Sequence, residues 1–232
     1  MKKPLLLTAL AVFGLTLVVG AGNPTPLAPD LTVAGAQDPK PTDKPPAKDE
    51  PKKDEKAAVA EIGKAAPEFS LTDLEGKTVK LSAFKGKIVV LEWFSPVCPA
   101  CVYAYSEGGP LREWPERLKK DGIVYLVVNS SNPDNDGSKL DLNKKFLEEN
   151  KAKVQVLLDP TGATGKAYGA KTTPHMFVID EDGTLLYAGA IDDDPRGGGA
   201  KTNYVESALS ALAAGEAPDP ASTRPYGCSI KY

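Results

Sequence analysis

The sequence predicts an α/β domain, a three-layer sandwich with a central mixed sheet and an N-terminal β-hairpin. Three observations predict this fold. Strand-like and helix-like segments alternate from about residue 61 onwards. The middle strand segments are almost continuously apolar, as in parallel strands buried on both faces. The last strand-like segment reads as a hairpin, which adds an antiparallel edge to the parallel strands.

Each element follows from a local pattern. The first hairpin is predicted over 67–84, where apolar and polar residues alternate around the turn at 73–76. The second hairpin spans 175–191 and turns at Asp182-Gly183. The remaining elements, in chain order, are predicted as strand 87–94, a helix starting near Cys98-Pro99 and interrupted at 108–110, helix 111–120, strand 122–131, helix 139–150, strand 154–159, a short helix or turn at 161–170 and helix 203–216.

Residues 1–36 have the pattern of a targeting segment. Two lysines precede an uncharged apolar run, Leu5–Gly20, which has the length of a long signal-peptide core. The run is somewhat short for a spanning helix, which needs about 20 residues. Small residues at 19–21 and 34–36 are candidate cleavage sites. We therefore predict a signal peptide or an N-terminal membrane anchor, and an exported, periplasmic or cell-envelope location.

The next segment, 37–60, is rich in Pro, Lys, Asp and Glu and has almost no apolar surface to bury. Such a composition predicts a disordered linker, acting either as a spacer or as a simple leader. The folded domain is then 61–232. The net charge of −3, without a basic stripe, gives no indication of a nucleic-acid partner.

Two of the three cysteines, Cys98 and Cys101, follow the predicted strand 87–94 and are two residues apart. The start of a helix has unpaired N–H groups and a positive potential, which favour a thiolate over a thiol. One helical turn brings the two sulfur atoms together, so that a disulfide can close or open at little backbone cost. A Cys-X-X-Cys pair between a strand and a helix indicates a redox-active dithiol.

Two further features converge on this end of the predicted sheet. Glu92 lies inside an otherwise apolar strand, where a carboxylate is costly unless it has a partner or a task. It is a candidate proton acceptor or donor for the second sulfur, with a hydrogen-bonded structural residue as the alternative. Thr173-Pro174 directly precedes a strand, a position in which proline can be cis.

These motifs carry a resemblance to a known family. "EWFSPVCPAC" at 92–101 together with "TTPHMFVID" at 172–180 resembles the thioredoxin-like superfamily, in particular the redoxin group of alkyl hydroperoxide reductases and exported thioredoxin-like proteins. The hairpin at 66–94 and the segments 168–193 and 224–232 are similar to exported bacterial members. The likeness extends over about 62–232.

The resemblance implies a thioredoxin fold and a thiol–disulfide oxidoreductase. It implies that Cys98 is the attacking thiol, Cys101 its partner and Pro174 the cis-proline preceded by Thr173. Glu92 would stand where thioredoxin keeps a buried aspartate. The implied partners are protein thiols and disulfides of exported clients and an electron donor. The chemistry is carried by thiols, so neither a cofactor nor a metal is predicted.

Two other functions stay open from the sequence. A peroxiredoxin has proline where Leu91 stands, Thr or Ser at the place of Ser95, and an arginine before the strand that follows Pro174. The first and third features are missing, and peroxide cleavage needs a donor that stabilises the leaving oxygen. A copper carrier would use Cys98, Cys101 and His175, since thiolates suit Cu(I). Zinc needs about four ligands, more than these residues supply.

The remaining candidates lie around the pair. Trp93, Ser95 and His175 are predicted at the rim of the site, although Trp93 also fits the core and His175 also fits a strand without a role. Cys228 lies in a polar segment that contains Pro225 and Gly227. It is either a bystander or a third thiol that resolves or relays the disulfide.

Overall fold

A seven-stranded mixed sheet forms the centre of the structure, a computed structural model that describes residues 59–232. Its strand order is β2-β1-β5-β4-β3-β7-β8, and β6 and β9 form a separate pair. In chain order the strands are β1 (Ser70–Asp73), β2 (Thr78–Lys80), β3 (Val89–Trp93), β4 (Val124–Asn129), β5 (Gln155–Leu158), β6 (Thr172–Thr173), β7 (His175–Ile179), β8 (Leu185–Gly189) and β9 (Cys228–Ser229).

The three central strands β3, β4 and β5 are parallel, and the adjoining hairpin strands β1 and β7 are antiparallel to β5 and β3, respectively. The β7–β8 hairpin forms the predicted antiparallel edge beside β3. The first hairpin, β1–β2, joins the opposite edge through β5. The predicted mixed sheet is therefore confirmed.

Helices cover both faces of the sheet. Four of them bury side chains in one hydrophobic cluster, whereas the fifth buries Tyr168 in a second cluster across the sheet. The first four are α1 (Pro99–Tyr105), α2 (Trp114–Lys120), α3 (Leu140–Glu149) and α5 (Tyr204–Ala213), and the fifth is α4 (Ala163–Tyr168). Two short 3-10 turns lie at Leu81–Phe84 and Asp136–Ser138.

The alternation of side chains along β3 decides which residues meet the cysteines. Val90 packs in the cluster that contains Cys98 and Cys101, whereas Leu91 and Trp93 pack in the cluster of the other face. Successive strand residues point to opposite faces. Glu92 therefore shares the face of Val90 and points towards α1.

The predicted segments 1–36 and 37–60 lie outside the described residues, except for 59 and 60 at the end of the second. Ala60 already joins the domain, since its N–H donates to the Ala167 carbonyl at 2.7 Å. Within 59–232, no helix has the length and apolar character needed to cross a membrane.

Candidate active site

Cys98 and Cys101 lie where β3 ends and α1 begins, as predicted. Cys98 is the N-cap of α1, with extended backbone, and Pro99 occupies the first turn. Cys98 is 2% exposed and Cys101 is fully buried. Both are reduced in this structure. The outer sulfur therefore belongs to Cys98, and Cys101 stands behind it in the core.

The segment before β7 packs against Cys98. The Thr173-Pro174 peptide bond is cis, the isomer that the resemblance implied. The Cys98 thiol donates a hydrogen bond to the Thr173 carbonyl, with 3.0 Å between sulfur and oxygen. A pocket of about 150 Å³ opens at this point, and Ser95 lines it together with Cys98 and Thr173. Cys98 therefore borders an open pocket.

Hydrogen bonding separates the acidities of the three cysteines. The Cys101 thiol, helped by hydrogen bonds from Cys228 and Thr173, lowers the pKa of Cys98 to about 4 against the effect of burial. Burial and the hydrogen bond to Cys98 raise the pKa of Cys101 well above its usual range. Burial raises the pKa of Cys228 to about 11, and a hydrogen bond to Cys98 contributes to this. Cys98 is therefore the most acidic of the three cysteines, and it is the protonated form of its thiol that donates to the Thr173 carbonyl.

Glu92 is fully buried behind the cysteines. Its Oε2 accepts hydrogen bonds from the Tyr105 and Tyr125 hydroxyls at 2.5 and 2.7 Å, whereas Oε1 has no partner among residues 59–232. Burial raises the pKa of Glu92 to about 7, although the two tyrosines oppose this. The charge of Glu92 contributes to the raised pKa of Cys101.

The two tyrosines are site residues that the sequence analysis missed. Tyr105 stands four residues after Cys101 on α1, a spacing that puts both on one helix face and was readable from the sequence. Tyr125 lies on β4 and reaches Glu92 through the parallel pairing of β3 with β4. That contact depends on the register of β3 and β4, which cannot be predicted from a short stretch of sequence.

Cys228 lies beside the start of α1, on the pocket side of Cys98. It is half-buried and lines the same pocket as Cys98. Strand β9, which contains it, pairs antiparallel with β6, so that Cys228 is opposite Thr173. The polar composition of this segment did not predict the short strand that it forms.

Two of the three rim candidates lie away from the cysteines, and the alternatives left open for them, a core residue and a strand residue, fit their positions. Trp93 is fully buried between Tyr168 and Phe177, and its indole N–H donates to Ser130. His175 is opposite Trp93 in the β3–β7 pair and its ring lies against Phe177. Burial, with the charge of Lys171, lowers the pKa of this histidine to about 4. Alternation along the strands puts both side chains on the face away from the cysteines.

The position of His175 also removes the third ligand of the copper alternative. Within the described part of the chain, no three His, Cys, Asp or Glu side chains are grouped so as to hold a metal ion.

The arginine that peroxide reduction requires is also missing from the pocket of Cys98. Arg112 donates to the Tyr105 and Asn150 carbonyls, Arg117 pairs with Glu206, and none of the four arginines at 112–224 lines the pocket of Cys98.

The acidity of Cys98 leads to a first prediction. The ultraviolet absorbance of the reduced protein should show a thiolate that forms with a midpoint near pH 4. Cys101→Ala removes the strongest donor and should raise this midpoint by more than about one pH unit. Cys228→Ala should raise it less. The Ser variants keep a donor and serve as controls. A wild-type midpoint near the ordinary thiol value of about 8.5 would contradict the geometry.

Several known proteins are similar to this chain. The thiol-disulfide oxidoreductase ResA of Bacillus thuringiensis subsp. konkukian is 34% identical over 126 residues, which cover 54% of this chain and 68% of the relative. The ResA of Geobacillus thermodenitrificans is 33% identical over 131 residues, covering 56% and 70%. Their names agree with the predicted enzyme class, an oxidoreductase.

A crystal structure of a conserved protein from Geobacillus kaustophilus has a TM-score of 0.67 and 28% identity, and the match covers 75% of this chain and 93% of that one. The predicted thioredoxin-like fold is confirmed by the central mixed sheet, the cysteine pair at the start of α1 and the cis bond before Pro174. The family model described as "AhpC/TSA family" matches residues 62–188, more than half of the chain. These residues include β3, the Cys98–Cys101 pair and the cis-proline segment, and the chain therefore belongs to the AhpC/TSA family.

Proposed function

We propose that this protein catalyses thiol–disulfide exchange with exported client proteins through Cys98 and Cys101. One observation carries the proposal: Cys98, whose pKa is lowered to about 4, lines a pocket at the start of α1, and the buried Cys101 follows it within one helical turn. The thiolate is the attacking species in disulfide exchange. The relatives named thiol-disulfide oxidoreductase give independent support.

The exchange takes two steps. The Cys98 thiolate attacks one sulfur of a client disulfide, a mixed disulfide forms, and the other client sulfur leaves as a thiolate. The Cys101 thiol then loses its proton and attacks Cys98 Sγ. The Cys98–Cys101 disulfide forms, and the client leaves with both of its sulfurs reduced. The reverse sequence oxidises a client dithiol, and an electron donor regenerates the reduced pair.

The second step needs a proton acceptor, because the pKa of Cys101 is raised well above its usual range. Glu92 supplies one in this proposal. Its carboxyl lies in the core beside Cys101, and its Oε1 has no hydrogen-bond partner among residues 59–232. A pKa of about 7 lets the carboxyl take up and release a proton near neutral pH.

Thr173 and Pro174 act as positioning residues in this proposal. The cis bond turns the Thr173 carbonyl towards Cys98, where it accepts the thiol hydrogen bond. Ser95 lines the opening beside the attacking sulfur. The N-terminal segment 1–36 delivers the domain outside the cytoplasm as a signal peptide or membrane tether, and cell fractionation of the full chain and of a chain lacking 1–36 tests this.

A redox titration tests the proposed function. The purified protein is equilibrated with mixtures of reduced and oxidised glutathione, and the Cys98–Cys101 disulfide is quantified by alkylation and peptide mapping. A two-electron transition is expected within the range of about −270 to −120 mV that dithiol oxidoreductases span. Cys98→Ser is the control. A pair that stays reduced over this range would refute disulfide exchange.

Hydrogen peroxide is expected to be a poor substrate, because no arginine lines the pocket at Cys98 to stabilise the leaving oxygen. Stopped-flow oxidation of Cys98 should proceed at the rate of an ordinary low-pKa thiolate. The Cys101→Ser/Cys228→Ser variant isolates this single step. Rates many orders of magnitude faster would favour a thiol peroxidase instead.

A further inference from the structure

The segment 221–232, here called the tail segment, is fastened to the domain on both sides of Cys228. Before Cys228, Thr223 and Tyr226 hydrogen bond to Tyr187 and Asp192, each at 2.6 Å. After it, backbone and side-chain hydrogen bonds continue to the last residue: Ile230 N–H to the Lys171 carbonyl, Asn132 N–H to the Lys231 carbonyl, and the Tyr232 hydroxyl to the Ala170 carbonyl. The fold therefore fixes the position of Cys228.

The register of the tail segment brings its cysteine to the reactive thiol. Cys228 and Thr173, 55 residues apart in the chain, are direct partners in the β6–β9 pair. The Thr173 carbonyl accepts the hydrogen bond of the Cys98 thiol at 3.0 Å. Cys228 and Cys98 line the same pocket, and Cys228 lowers the pKa of Cys98 while Cys98 raises that of Cys228. Cys98 thus has two thiol neighbours, Cys101 on the core side and Cys228 on the pocket side.

Gly227 makes this approach possible. Its φ is +114°, and a Cβ at this position would lie 2.2 Å from the Thr173 carbonyl oxygen. That distance is a collision with backbone on the other strand. Only glycine allows the tail segment to lie this close to Thr173, so the contact between the two strands depends on the residue next to Cys228.

Access distinguishes the two neighbours of Cys98. Cys101 is fully buried, whereas Cys228 is half-buried and lines the pocket together with Lys231. Disulfide exchange requires that the incoming thiolate reach a sulfur atom. A disulfide between Cys98 and Cys101 places one sulfur in the core, and a disulfide between Cys98 and Cys228 places both at the pocket.

We propose that Cys228 is a second disulfide partner of Cys98, to which the Cys98–Cys101 disulfide is transferred before an incoming dithiol reduces it. This inference rests on the exchange chemistry proposed above for Cys98 and Cys101. It extends that chemistry with a third thiol, supplied by the tail segment, and with the class of reactant at the pocket, a dithiol reductant.

The transfer is an isomerisation that balances without an external oxidant. Cys228 loses its proton and attacks Cys98 Sγ; the Cys98–Cys101 bond breaks, and Cys101 leaves as a thiolate that takes up a proton. One disulfide and one thiol are present before and after. The charge of the Cys98 thiolate contributes to the raised pKa of Cys228, and this contribution is absent once Cys98 is in a disulfide. The nearby Lys231 favours the Cys228 thiolate.

Oxidation of the full-length Cys101→Ser protein with oxidised glutathione tests the proposal. Glutathione first attaches to Cys98, and Cys228 should then displace it, leaving an internal Cys98–Cys228 disulfide on peptide mapping. The Cys101→Ser/Cys228→Ser protein should instead keep glutathione on Cys98. Glutathione retained on Cys98 of the single variant, with Cys228 still open to alkylation, would overturn the proposal.

Two glycine variants in the Cys101→Ser background test whether the fold holds Cys228 next to Cys98 or whether the two thiols meet only by random motion. Gly227→Ala should slow formation of the crosslink at least tenfold, because the new Cβ meets the Thr173 carbonyl. Gly199→Ala is the matched control, since Gly199 has the same φ of +114° but open space where its Cβ would lie. Equal crosslinking rates in the two variants would contradict the proposal.

The Cys228→Ser protein keeps this test separate from that of the proposed function. It should still form the Cys98–Cys101 disulfide in the glutathione titration. If that disulfide forms but the Cys101→Ser protein gives no internal crosslink, the transfer fails and the exchange function stands. If the Cys98–Cys101 disulfide does not form, the proposed function itself fails.

Discussion

Changing Cys98 to Ser is expected to lower the reduction of a disulfide-bonded client, such as insulin, to the uncatalysed rate. The hydroxyl cannot replace a thiolate whose pKa is held near 4 at the start of α1. The remaining thiols have raised pKa values and Cys101 is fully buried, so neither takes over the attack. Turbidity of reduced insulin, measured with an excess of dithiol, gives the rate.

Changing Cys101 instead should leave the attack intact and stop the reaction at the mixed disulfide. Because we propose Cys228 as a second disulfide partner of Cys98, the complex should accumulate most in the Cys101→Ser/Cys228→Ser protein. Non-reducing electrophoresis followed by peptide mapping identifies the sulfur that holds the client. A client trapped through Cys101 in the Cys98→Ser protein would reverse the two roles.

Glu92→Gln is expected to slow the step in which Cys101 closes the disulfide by about 100-fold, the lower end of the usual range for general acid–base catalysis. The wild-type rate of this step should rise with pH through about 7, as the carboxyl becomes ionised and able to accept the Cys101 proton. The variant should lose that inflection. Rapid-quench measurement of mixed-disulfide decay over a pH series gives both the rate and the profile.

A hydrogen-bond variant provides the matched control. Tyr125→Phe keeps the carboxyl but removes one of the two donors that lower its pKa. The inflection should therefore move to higher pH without disappearing. Identical pH profiles for Glu92→Gln and the wild type would reduce Glu92 to a structural residue.

The Glu92 carboxyl also makes the free energy of unfolding depend on pH in a predictable direction. Folding raises the pKa of Glu92 from 4.5 to about 7, so the folded protein binds more protons than the unfolded chain between these values. The stability that this group contributes is present below pH 4.5 and is lost as pH rises through 7. As pH rises from 4.5 to 7, the wild-type protein should lose about 3 kcal/mol of unfolding free energy that the Glu92→Gln protein does not lose. Urea unfolding of the reduced proteins at both ends of the range measures this.

Much of this site was readable from short stretches of sequence. The apolar run at 87–94 and the following Cys-Pro-Ala-Cys predict a strand, a helix start and a reactive pair, because these features depend on local periodicity and on the chemistry of a helix N-terminus. The alternation of side chains along a strand also predicts that Trp93 faces away from the cysteines. If Glu92 faces the cysteines, its neighbour in the strand faces away.

Strand pairing decided which residues surround Glu92. Its hydrogen bond to Tyr125 joins residues 33 positions apart and exists only because β4 lies parallel to β3 in one particular register. The same pairing leaves Oε1 without a partner among residues 59–232. Neither the charge of the residue nor the hydropathy of its strand carries that information.

The α/β class, the place of the Cys98–Cys101 pair and the burial of an acid in the preceding strand could all be predicted from the sequence, since each depends on residues adjacent in the chain. The position of Cys228 at the pocket could not be predicted in this way. Its segment is short, polar and without strand periodicity, and it becomes a strand because β6 offers a free edge and Gly227 fits against the Thr173 carbonyl. Contacts between residues 55 positions apart depend on how the whole domain closes, and no local pattern encodes them.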